Sequence, residues 1–190
     1  MYAVAIGEHR RRLGTFRWGL VPWWAESPAG ASRMINARAE TLLSKRAFRE
    51  AFARRRCIVP ADGFYEWRKE PDGRRQPFYI RRADGEPLAF AGLWERWRDP
   101  SDPDRRLATC TIVTTRANAT VETLHDRMPV VLPRAAWERW LDPSCEDTSE
   151  VVGLLVPAPA DALVLSAVPP LVNNVRNDGP ELVEPVAAQE

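Results

Sequence analysis

The chain has little lysine, little histidine and little cysteine, and each scarcity narrows what it can do. Lys45 and Lys69 are the only lysines among 27 basic residues, so the rest are arginines. These face 26 acidic residues, and the net charge of +1 provides no global field toward nucleic acid or a membrane. The high arginine count accompanies plentiful alanine and proline, so only particular arginines carry weight. Cys57, Cys110 and Cys145 fit no zinc-ligand spacing and are odd in number. Cys57 and Cys110 lie in strand-like apolar runs, as buried, inert thiols do. With only His9 and His125 present, imidazole chemistry has a short candidate list. No apolar run is long enough to cross a bilayer, and the N-terminus lacks a signal-peptide layout. A reducing, cytosolic compartment is therefore expected, with no metal and no cofactor. What the chain does have is tryptophan, eight residues of it, and 45% hydrophobic residues over 190 positions. That is ample for a real core and favours one domain.

The pattern of elements begins with a hairpin, Tyr2 to Ile6 and Leu13 to Leu20, with His9 as a solvated turn residue. Residues 21–34 have no clear period and hold Pro22, Trp23, Trp24, Pro28 and Gly30, a loop long enough to carry function. The Pro-flanked Trp23–Trp24 pair is expected to be exposed. Leu43, Ala47, Phe48, Ala51 and Phe52 repeat at helical spacing and predict a helix from about Ala39 to Arg54. Strands then follow at Cys57–Val59, Gly63–Lys69, Pro77–Arg82, Leu88–Arg98 and Leu107–Thr115, joined mostly by short turns that favour antiparallel pairing. Short helices are expected at Asn118–Leu124, Pro133–Trp140 and Asp147–Leu155, and short strands at Val130–Leu132 and Leu163–Val168. The expected architecture is one α+β domain over residues 1–190, with a mostly antiparallel, barrel-like sheet core and peripheral helices.

Glu66 stands out as a lone carboxylate in the aromatic run Phe64-Tyr65-Glu66-Trp67. It is either a solvated strand residue or a carboxyl kept protonated near neutral pH by apolar surroundings. His125, beside Asp126 and Arg127, could share acid and base roles with it, or simply bond a backbone carbonyl at a helix end. Asn36 either orients a substrate without titrating or caps the following helix. Trp23 and Trp24 with Arg33, Arg38 and Arg127 are the ingredients of a stacking platform with phosphate clamps, or else core tryptophans and solvated arginines.

Five motifs occur in order: Trp18-Gly19-Leu20-Val21-Pro22-Trp23-Trp24, Ile35-Asn36-Ala37-Arg38-Ala39-Glu40-Thr41, Arg56 through Trp67, Phe90-Ala91-Gly92-Leu93-Trp94, and Leu124-His125-Asp126-Arg127-Met128-Pro129. Together with the closing Asn173-Asn174-Val175-Arg176-Asn177-Asp178-Gly179, they resemble the SOS response-associated peptidase (SRAP) family from about Thr15 to Pro185. The resemblance implies a β-rich fold with a basic cleft that binds single-stranded DNA carrying an abasic site. In that family a cysteine directly after the initiator Met forms a Schiff base with the abasic aldehyde through its α-amine. Its thiol then closes a thiazolidine, leaving a DNA–protein crosslink, and the same site removes the initiator Met. By resemblance Asn36, Glu66 and His125 are catalytic, Arg38 and Arg127 bind the DNA backbone, and the Trp23–Trp24 loop meets the bases. A monomer is expected.

The family opens Met-Cys-Gly-Arg, whereas this chain opens Met1-Tyr2-Ala3, and the bulky Tyr2 should block removal of Met1. The thiazolidine needs amine and thiol on one residue, so no internal cysteine can replace the nucleophile. The expectation is that the nucleophile-bearing start lies upstream, since Asn36, Glu66 and His125 all remain. The alternatives are a non-catalytic single-stranded DNA-binding module and, more remotely, a thiol hydrolase using Cys57 and His125.

Overall fold

The computed structural model describes residues 1–7, 10–102, 104–145 and 147–186, and His9 lies outside them. In chain order the strands are β1 (Tyr2–Gly7), β2 (Arg10–Thr15), β3 (Arg17–Trp18), β4 (Asn36–Arg38), β5 (Arg56–Ala61), β6 (Phe64–Lys69), β7 (Arg75–Arg82), β8 (Leu88–Arg98), β9 (Arg106–Arg116), β10 (Arg127–Pro129) and β11 (Leu163–Ala167). The α-helices are α1 (Arg46–Arg54), α2 (Trp137–Leu141) and α3 (Ser149–Val152). The fold class is α+β, as expected. Two compact units divide the chain: residues 1–60, 89–115 and 129–157 form the first, and residues 61–88, 116–128 and 158–190 the second.

In the first unit β1 and β2 form a hairpin, as expected, but its returning strand is Arg10–Thr15 rather than Leu13 to Leu20, and β1 pairs β5 through Val4↔Ile58. The strands β8 and β9 pair antiparallel from Gly92↔Ile112 to Arg98↔Arg106. The other edge of β9 accepts β3 and β4 in parallel, departing from the antiparallel expectation. Alternation along these strands sorts the side chains. One face presents Ala37, Ile58, Ala89, Ala91, Leu93 and Val113, which pack with Phe48, Ala51 and Phe52 of α1 and with Trp140. The other carries Cys57, Gly92 and Cys110, and a Cβ on Gly92 would lie 2.8 Å from the Cys57 sulfur. Asn36 and Arg38 flank the buried Ala37 on β4, so they fall on this second face.

The helix expected from Ala39 is shorter. Residues Ala39–Thr41 make a single 3₁₀ turn, and α1 starts only at Arg46. Pairing of Asn36–Arg38 with β9 holds that stretch extended, while burial of Leu42 draws the chain inward before the helix begins. At its other end α1 is closed by a side chain from the next strand. The buried Arg56 donates to the carbonyls of Phe52 and Ala53 at 2.7 Å each, occupying acceptors that a helix end leaves open. The same guanidinium donates to Trp140, Asp142 and Cys145 carbonyls at the end of α2. One cation thus serves two helix C-termini, where the backbone dipoles favour it. Asn118–Leu124 and Asp147–Leu155 also shorten, to a 3₁₀ turn at Val121–Thr123 and to α3. The break expected at residues 125–129 contains β10, and the strand expected at Val130–Leu132 reduces to a bridge between Phe90 and Val131.

The second unit is built on a three-stranded antiparallel sheet, β11–β7–β6. Register runs Phe64↔Ile80 to Lys69↔Arg75 across the β6–β7 hairpin and Leu163↔Arg82 to Ala167↔Phe78 across β7–β11.

Candidate active site

Glu66 sits mid-strand on β6, directly opposite Phe78 of β7. The pleat puts Phe64, Phe78 and Ile80 on its face and turns Tyr65, Trp67 and Tyr79 to the other. The three outward-turned rings cluster, Tyr65 lying 5.3 Å from Tyr79 and 6.4 Å from Trp67 between ring centres. The strand is fixed from that side: the Trp67 indole donates to Asn173 at 2.8 Å and the Tyr65 hydroxyl to the Leu182 carbonyl at 3.2 Å. Gly63 precedes the strand because a Cβ there would strike the Tyr79 ring and lie 2.6 Å from the Ile80 carbonyl oxygen.

Burial pushes the Glu66 carboxyl above the ordinary carboxylate value, and Asp126 adds to the rise. His125 pulls it back, as does the Trp67 backbone N–H. The structure therefore brings together the two groups suspected of acid–base work, both within the second unit. The His125 segment is closed on itself. Its backbone N–H reaches Val121 at 3.0 Å, and the Ala117 N–H reaches Asp126 at 2.9 Å. The buried Asn118 accepts from the Val121 N–H at 2.9 Å and donates to the Ala158 carbonyl at 3.0 Å. The imidazole Nδ1 accepts the Arg127 backbone N–H at 2.9 Å and lies 3.2 Å from an Asp126 carboxylate oxygen. Arg127 itself is half-buried.

Asn36, Arg38, Trp23 and Trp24 belong to the first unit. Asn36 is exposed on a strand and caps no helix. Arg38 is exposed on the same face two residues on. Trp23 and Trp24 are 54% and 38% exposed, not core tryptophans. The turn before them needs Gly19, whose φ of +108° and approach to the Ala31 carbonyl leave no room for a side chain.

Cys57 is fully buried, and burial raises its thiol well above the ordinary value. Cys110 is pushed up to about 11 by burial and lies 3.6 Å from the Met1 sulfur. A nucleophilic cysteine needs accessible thiolate, so the hydrolase reading loses its nucleophile. Among the described residues no cluster of His, Cys, Asp and Glu could hold a metal ion. None of their helices is long and apolar enough to cross a membrane.

Glu66, His125 and Arg127 thus lie in the second unit, and Trp23, Trp24, Asn36 and Arg38 in the first. The family model "SOS response associated peptidase (SRAP)" matches residues 1–175, and the chain belongs to that family. Among curated relatives it is 44% identical over 173 residues to the abasic site processing protein YoqW of Bacillus subtilis, covering 91% of this chain and 76% of that protein. It is 36% identical to the abasic site processing protein YedK of Escherichia coli, covering 89% and 73%. With the abasic site processing protein HMCES of Gallus gallus it shares 34% identity, over 93% of this chain and 58% of that one. Among solved structures, a Bacteroides thetaiotaomicron protein superposes with a TM-score of 0.84 at 31% identity, covering 97% of this chain and 80% of that one.

Proposed function

We propose that this protein processes abasic sites in single-stranded DNA by the crosslinking chemistry of its family. The observation that carries the reading is Glu66, a carboxyl held above its ordinary value by burial and countered by His125. A carboxyl raised in this way keeps its proton more readily than an ordinary one and can deliver it as a general acid. Opening the abasic sugar breaks its C1′–O4′ bond: Glu66 delivers a proton to the ring oxygen, and the C1′ hydroxyl releases its own proton to water as it becomes the aldehyde. An α-amine then adds to the aldehyde carbon and water leaves, giving the Schiff base. The thiol of the same residue adds across the C=N bond, its proton passing to nitrogen, and the thiazolidine closes. His125 assists these transfers and their reversal. Asn36 holds the nucleophilic residue, Arg38 and Arg127 take backbone phosphates, and Trp23 and Trp24 meet unpaired bases. The nucleophile belongs to the family's Met-Cys-Gly-Arg opening, and none of Cys57, Cys110 and Cys145 replaces it.

The test is adduct formation between a single-stranded oligonucleotide bearing an abasic site and the protein carrying that opening, resolved on a denaturing gel. Glu66→Gln is expected to slow the reaction by roughly 10²–10⁴-fold, the usual worth of a positioned acid–base group. An adduct that forms as fast with Glu66→Gln would remove Glu66 from the mechanism. Binding that is salt-sensitive and weakened by Arg38→Ala, yet yields no adduct, would instead favour the non-catalytic binding module.

A further inference from the structure

The two exposed tryptophans are gripped by one helix. The Trp23 indole N–H donates to Glu50 Oε2 at 2.7 Å, and the Arg46 guanidinium lies 4.4 Å from the centre of the Trp24 ring. Arg46 and Glu50 are four residues apart on α1, one turn, so they stand on the same side of the helix. Glu50 is itself backed. Its other oxygen lies 3.2 Å from Arg55, which forms a two-pronged pair with the buried Glu95 at 2.9 Å on each arm. Glu95 also accepts the Arg96 backbone N–H at 3.1 Å. A continuous line of charge-assisted bonds thus runs from β8 to the Trp23 indole. The loop backbone is tied down as well: Val21 N–H donates to Thr109 at 3.0 Å, and the Trp97 indole donates to the Ala25 carbonyl at 2.7 Å. Indoles fixed at this many points, yet more than a third exposed, do not serve the core.

We propose that Glu50 and Arg46 are positioning residues that hold Trp23 and Trp24 as a preformed stacking surface for unpaired nucleobases. The inference rests on the DNA-binding reading of the tryptophan loop and adds what sets its geometry. Stacking on a ring costs less when the ring's rotamer is already fixed. Removing the Glu50 anchor is therefore expected to weaken single-strand binding by roughly 3–10-fold. The sign is informative. Glu50 is acidic, so deleting it should strengthen binding to an anion if only charge mattered.

The experiment measures dissociation constants by fluorescence anisotropy on the full chain with a labelled, unstructured single-stranded oligonucleotide, at several salt concentrations. Glu50→Ala should weaken binding with an unchanged salt slope, and Glu50→Gln, whose amide oxygen still accepts from the indole, should largely restore it. In a Trp23→Ala background, Glu50→Ala should cost nothing further. Arg46→Ala should weaken binding without changing the slope, whereas loss of a direct phosphate contact would reduce it by about 1. Binding as tight or tighter with Glu50→Ala, or an undiminished effect without Trp23, overturns the inference. Wild-type affinity in Trp23→Ala and Trp24→Ala instead sinks the tryptophan-loop reading beneath it.

Discussion

Replacing His125 by Ala should raise the midpoint at which Glu66 loses its proton. Burial raises that midpoint, His125 is the largest influence opposing the rise, and Asp126 acts with burial. The positive charge of a protonated imidazole favours the ionised form of a neighbouring carboxyl, and the 46% exposure of the His125 side chain lets water screen part of that attraction. Asp126→Ala should move the midpoint the other way. Carbon-13 NMR titration of the glutamate side-chain carboxyls measures both shifts, with Glu66→Gln identifying the resonance. The same coupling has a stability signature. A carboxyl raised in the folded state contributes stability that is complete below its unfolded value and is lost as pH rises through its folded value. Urea midpoints should therefore fall across that window, and Glu66→Gln should flatten the fall. A His125→Ala variant whose Glu66 midpoint stays put or drops would refute the electrostatic account of the pair.

Two further outcomes test the scaffold. Arg56→Met leaves five backbone carbonyls without their donor and should cost about 3–5 kcal/mol, the penalty for breaking a buried charged network. Thermal denaturation should show a melting point lower by roughly 10 °C; a change within error would mean that water replaces the guanidinium. Gly63→Ala, with Tyr79 and the Ile80 carbonyl in the way, should destabilise by about 1–3 kcal/mol in urea titration. Unchanged stability there would mean that the aromatic cluster of β6 and β7 yields freely.

The sequence carried the strands well because their signals are local. Alternation marked β9, and turn residues marked the β6–β7 hairpin. Helix extents were less legible, since periodicity at Leu43, Ala47 and Phe48 says nothing about the pairing of Asn36–Arg38 with β9 that delays α1. Glu66 was conspicuous as the odd carboxylate, but its setting was not. Only the register separates Phe64 and Phe78, which share its face, from Tyr65 and Trp67, which do not. Arg56 gave no signal at all. Its partners include carbonyls 84 to 89 residues away, and a carbonyl has no residue type to recognise. Glu50 carries no local signal of its role, because its tie to Trp23 depends on how the loop folds back.

The hydrogen bonding of His125 constrains how it and Glu66 divide the proposed proton transfers. A backbone N–H can only donate, so in the neutral ring the Nδ1 that takes the Arg127 N–H at 2.9 Å presents a lone pair and Nε2 carries the proton. In the protonated ring Nδ1–H has two acceptors in reach, the Arg127 carbonyl and an Asp126 carboxylate oxygen, each at 3.2 Å. The first state makes His125 a donor through Nε2, and the second gives it the positive charge that favours an ionised Glu66. The base in the proposed cycle is thus Glu66 after it has delivered its proton, and the imidazole is the group that stabilises its ionised form.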